Sequence, residues 1–138
     1  MRYIKLLSIV AALFGLSVVS SAQTAQDVFE ALQKGLALRN EIVNAETSRT
    51  EYSDDLLNGA IAEFERCIEL AIAVGTEEAE MHSIQAEGFL PPLYLRVALR
   101  IPPTDLLARL QAFEVVIEVS EKYFDDETGR ISFGATIH

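Results

Sequence analysis

Two histidines, one cysteine and several acidic pairs are the residues of this 138-residue chain best suited to chemistry. Their spacing is the first thing to read. His82 sits in an acidic stretch and His138 ends the chain. Neither stands at a separation from a serine or from Cys67 that suggests a nucleophile activated by a base. No His-x-x-x-His, no Cys-x-x-Cys and no glycine-rich phosphate loop occurs. Cys67 lies between Phe64 and Ile68 in an apolar stripe, which reads as a small buried hydrophobe rather than a reactive thiol. A lone cysteine also gives no internal disulfide. Asp125, Glu127 and Gly129 alternate like the start of a calcium loop, but the glycine comes one place early and no carboxylate closes the loop. Asp54-Asp55 and Glu77-Glu78 are neighbours at expected helix starts, where the helix dipole favours negative charge without any acid–base role. The expectation is a non-enzyme with no cofactor and no metal.

With chemistry this sparse, the elements that would hold a surface matter more. Arg2 and Lys5 precede an uncharged, mostly apolar run from Leu6 to Val19, followed by Ser20-Ser21-Ala22. That order of charge, short apolar core and small residues is expected to be a secretory signal peptide, residues 1–22, cut after Ala22. The core is shorter than the roughly 20 residues a membrane span needs. The expected location is exported, periplasmic or extracellular. The remainder, from Gln23, is the size of one small domain. Asp and Glu number 21 against 11 Lys and Arg, a net charge of −10, and two of the basic residues lie in the leader. Such a surface repels nucleic acid and anionic membranes, and it suits basic partners.

The apolar residues after the leader recur at helical steps, and hairpin-turn and strand signals are almost absent. A first helix is expected over about 25–45, with Val28, Phe29, Leu32, Leu36 and Val43 on one stripe. Gly35 interrupts it, either for close approach of a neighbour or by tolerance. Ser53 is placed to cap a second helix over 54–74, whose stripe is Leu57, Ile61, Phe64, Ile68 and Ala71, and which Gly75 ends. Thr76 is placed to cap a third that stops at Gly88. Pro91 or Pro92 then opens a short fourth piece through Ala98. After the Pro102-Pro103 corner, Thr104 is placed to cap a last helix reaching Lys122, with Leu106, Leu110, Phe113, Val116 and Ile117 as its stripe. Residues 125–138 show no helical period and read as an irregular tail. Arg96 and Arg100, four apart, are suited to an acidic segment or to this protein's own carboxylates.

Two stretches echo each other: "FERCIEL" at 64–70 and "FEVVIEV" at 113–119. Phe64 and Phe113, Glu65 and Glu114, Ile68 and Ile117 stand in one register, each on a helix preceded by another. A recurring helical hairpin is the mark of an α-solenoid. Residues 60–98, "AIAEFERCIELAIAVGTEEAEMHSIQAEGFLPPLYLRVA", resemble tetratricopeptide-repeat (TPR) proteins, in the variety found in exported proteins of Bacteroidetes-type bacteria. Ala60, Phe64 and Cys67 match the small–aromatic–small spacing of the repeat's second helix, and "LQKGLAL" at 32–38 resembles its first, with Gly35 at the small position. Arg109 and Val116 depart from that pattern in the second copy, where small residues belong.

The resemblance implies an all-α fold of antiparallel helical hairpins stacked as a short TPR-like α-solenoid over residues 23–124. It implies a non-catalytic module for protein–protein interaction, binding a protein or peptide along the groove of each repeat's first helix. Those positions are Phe29, Leu32, Leu36, Arg39, Leu95 and Leu99. The family's grip on a peptide C-terminal carboxylate needs Lys and Asn there, and this chain lacks them. The alternative is a structural homo-oligomer of the cell envelope whose terminal helix pairs with a second copy.

Overall fold

A computed structural model describes residues 23–125 and 130–131 of the chain. The expected leader over 1–22, His138 and most of the acidic loop around Glu127 and Gly129 lie outside the described residues. Among the described residues the architecture is all-helical, with four helices joined by short connections.

Helix α1 spans Ala25–Thr47. Thr24 caps it reciprocally: its hydroxyl accepts from the Gln26 amide at 3.2 Å, while the Asp27 carboxylate accepts from the Thr24 amide at 2.7 Å. The chain then turns through Arg49, whose φ of 56° is in the left-handed region. Helix α2 spans Asp54–Val74, opened by the Ser53 hydroxyl accepting from the Leu56 amide at 3.1 Å. Gly75, at φ 71°, ends it in the left-handed conformation that glycine adopts most easily. Both ends match the reading of the sequence.

Helix α3 does not. It runs unbroken over Glu77–Arg100, capped by Thr76, with Gly88, Pro91 and Pro92 inside it. The expected stop at Gly88 and restart at Pro91 are therefore corrected. A glycine ends a helix when it takes a left-handed φ, and among the described residues Gly75 is the glycine that does so. Each interior proline removes one amide donor and crowds the carbonyl four residues back. Burial of Leu90, Pro91, Leu93 and Ala98 offsets that local cost.

Helix α4 spans Leu106–Lys122. Its cap is Asp105, which accepts from the Ala108 amide at 3.3 Å, and not Thr104. The Asp105 amide bonds the Pro102 carbonyl at 3.0 Å, so the turn after the two prolines takes in Thr104 and leaves Asp105 at the helix mouth. Beyond α4, Phe124–Asp125 pairs antiparallel with Arg130–Ile131, a two-residue ladder.

Helix α2 is the centre of the packing, lying against both α1 and α3, while α3 also meets α1. Phe64 is fully buried at that junction and stacks on Phe89 of α3 with centroids 5.2 Å apart. On its α1 side a Cβ added to Gly35 would stand 2.8 Å from the Phe64 ring, so Gly35 is there for close approach. Val28, Leu32 and Ile42 of α1 and Ala86, Leu90 and Leu93 of α3 complete the core. Helix α4 leans mainly on α3 and contributes no buried residue.

Candidate interaction surface

The six positions proposed for binding fall into two environments. Leu32 is 1 % exposed and belongs to the core, which corrects its place on a binding groove. It sits one helical turn from Val28 and Gly35, on the side of α1 that faces α2, and a partner cannot reach it. Leu36 is half-buried and packed against the same core. Arg39 lays its guanidinium over the Phe89 ring at 4.8 Å, joining α1 to α3. Phe29 is partly exposed beside His82, ring centroids 5.2 Å apart. Leu95 and Leu99 are exposed on α3.

Arg96 and Arg100 are taken up by the protein's own carboxylates. Arg96 donates through Nε and Nη2 to the two oxygens of Glu46, each at 2.9 Å, tying α3 to the end of α1. Those bonds hold the Glu46 carboxyl below its usual range, and the same pairing raises Arg96. Arg100 meets Asp54 at 2.5 Å, the Tyr52 carbonyl at 2.7 Å and the Tyr52 ring at 4.1 Å. This cluster seals the loop between α1 and α2 against α3. Neither arginine is free to receive an acidic segment.

Exposed apolar residues that the sequence did not single out lie on α3 and α4. Met81 and Ile84 are exposed on α3. With Gly88, Pro92, Leu95 and Leu99 they recur at steps of three and four, which places them on one strip of one helix. Splitting α3 at Gly88 breaks that phase, so the strip becomes legible only once the helix is continuous. On α4 the expected apolar stripe is largely open to solvent: Leu106 is 68 %, Leu110 61 % and Ile117 55 % exposed. Phe113 and Val116 are half-buried. The stripe is therefore apolar by period but uncovered at those three residues. Arg109 gives a reason. It occupies the position that Ala60 holds on α2, where the small side chain is fully buried in a close contact. Arg109 is too large for such an approach, and its buried Nε has no hydrogen-bond partner among the described residues.

The interior chemistry is muted. The Cys67 thiol donates to the His82 carbonyl at 3.8 Å, and burial pushes its pKa up to about 11, so it is protonated and a poor nucleophile at neutral pH. A cleft of 320 Å³ beside the α2–α3 turn is lined by Thr76, Glu80, Ser83 and Glu87. Burial raises the Glu87 carboxyl, while the Ser83 hydroxyl donates to it at 3.4 Å and offsets part of that rise. A second cleft, between α2, α3 and α4, holds Tyr94, whose hydroxyl bonds Glu65; burial is the main cause raising that phenol. Among the described residues no three metal-ligating side chains gather, and no helix is long and apolar enough to cross a membrane.

No family model, curated protein or solved structure matches this chain significantly. The residues above carry the functional reading by themselves.

Proposed function

We propose that this protein is a non-catalytic module for protein–protein interaction, exported by the leader at residues 1–22 and built as a short TPR-like stack of helical hairpins. The observation that carries the reading is the uncharged strip along α3, where Met81, Ile84, Leu95 and Leu99 are all exposed. Scattered apolar residues on a surface are ordinary, but four aligned on one rigid helix form a docking strip. The helix beneath is held in place by the Phe64–Phe89 stack and the Arg96–Glu46 pair, so little ordering entropy is lost when a partner binds. The strongly acidic composition around it selects partners by charge. Two hairpins in echo, α1–α2 and α3–α4, support the repeat reading.

The test is retention of envelope proteins on the immobilised chain. The parent is expected to hold a defined protein, and Leu99→Glu is expected to release it while melting like the parent. Equal retention by both would move the binding site off this strip.

A further inference from the structure

We propose that the α3–α4 face opposite α2 binds a second copy of this chain, forming a two-fold dimer. This rests on the reading of the protein as an interaction module and names one of its partners.

The echo between α2 and α4 points to the missing neighbour. A shift of 49 residues carries Leu57, Ile61, Phe64 and Ile68 onto Leu106, Leu110, Phe113 and Ile117. On α2 the first three are 1 %, 8 % and 0 % exposed, because the stripe faces the crevice between α1 and α3. Helix α4 has α3 beside it, and among the described residues no helix stands in the place of the second flank.

The open side can be located. Val119, Lys122 and Tyr123 of α4 border the cleft shared with Glu65 and Ile68 of α2. By helical phase Leu106, Leu110 and Ile117 lie on the far edge of the α4–α3 contact, away from α2. On α3, His82, Phe89 and Arg96 meet α1, while Glu87 and Tyr94 lie toward α4. Ile84, Leu95 and Leu99 fall between those two sets, again away from α2. The two strips therefore flank a single trough, with α3 and α4 as its walls.

Area and spacing favour a second copy as the occupant. Those six residues stand between 36 % and 68 % exposed, all apolar and on one face, and a standard interface of ~800 Å² per partner needs about 500 Å² of such apolar surface. The α4 stripe steps by four, three and four, which reads the same in both directions. A copy turned end for end sets Leu106 against Ile117 and Leu110 against Phe113, the self-complementarity that an isologous interface requires. The stripe also has the side-chain pattern that α2 already fits against helices of this chain. Each copy carries a net charge of −10, so association of two copies works against repulsion that salt screens. A basic peptide in the same trough would instead be weakened by salt.

Sedimentation equilibrium on the protein as its host processes it tests the proposal. The parent is expected to be a dimer at about 10 µM and to hold or tighten between about 0.05 and about 0.5 M sodium chloride. Leu110→Glu and Ile117→Glu should each weaken the dimer by at least about tenfold with unchanged helical dichroism and melting, since both side chains are exposed. Ile72→Glu, on the exposed side of α2 outside the trough, should leave the dimer intact. A parent that stays monomeric at about 100 µM overturns the proposal. So does a dimer indifferent to both α4 substitutions, or one that dissolves in salt. A monomer that still retains an envelope protein through Leu99 rejects the dimer and keeps the interaction module. A dimer lost on Leu110→Glu, with no other protein retained, keeps the dimer and rejects a foreign partner.

Discussion

Adding one methyl group at Gly35 sets two known effects against each other. Replacing a helix-interior glycine with alanine ordinarily stabilises by about 1 kcal/mol, because the unfolded chain loses freedom. Here the new Cβ would lie 2.8, 2.9 and 3.1 Å from three atoms of the Phe64 ring. The ring has little room to retreat: it is fully buried, and it stacks on Phe89 at 5.2 Å and 23°. Overpacking of this kind costs about 1–3 kcal/mol, so Gly35→Ala should destabilise by about 1 kcal/mol net and lower Tm by about 4–8 °C. The control is Phe64→Leu, which removes the ring and itself costs about 1–3 kcal/mol. In that background Gly35→Ala should reverse sign and restore about 1 kcal/mol, giving a coupling near 2 kcal/mol. Urea denaturation of the four proteins, followed by helical dichroism, measures the cycle. If Gly35→Ala stabilises the parent, or the two effects simply add, the packing at this junction has been misread.

Two further outcomes follow from the ion pair and the prolines. The Arg96–Glu46 pair holds Glu46 below its usual carboxylate range, so its stabilisation is complete above the unfolded pKa and is lost as pH falls through the folded one. Arg96→Met should therefore lower Tm by a few degrees near about pH 7, at most about 1 kcal/mol because the pair is partly exposed, and the difference from the parent should vanish in acid. A gap that persists in acid would mean Arg96 acts through packing. Pro92→Ala should raise stability by about 1–3 kcal/mol, because Pro92 is exposed inside α3 and an alanine amide can donate to the Gly88 carbonyl. Unchanged or lower stability in denaturant would show that the ring itself is an important contact.

Much of the scaffold was legible because local chemistry and packing agree there. Ser53, Thr76 and Gly75 mark the ends of α2 and the start of α3 by hydrogen bonding and backbone preference alone. The Leu57–Ile61–Phe64 stripe has an amphipathic period that burial on both flanks then satisfies. At Gly35 the sequence left close approach and tolerance open, and the Phe64 ring decides for approach. The reading failed where tertiary burial overrides local preference. Gly88 and the two prolines look like a break, yet Leu90, Pro91 and Leu93 are buried by α2 and its neighbours and the helix continues. It failed again on α4, since periodicity reveals that a helix has an apolar stripe but not that anything covers it. Leu32 and Leu99 illustrate the same limit on the proposed surface: both are leucines on helical stripes, and only the neighbouring helices separate core from strip.

The thiol of Cys67 sits under α3 with no exposed surface. No alkylating reagent can meet it unless α2 and α3 part. The chain thus carries its own clock for breathing of the central helices: the labelling rate under excess reagent reports how often that seam opens. Ligands or self-association that clamp α3 should slow that clock even where they shift the melting curve by too little to see.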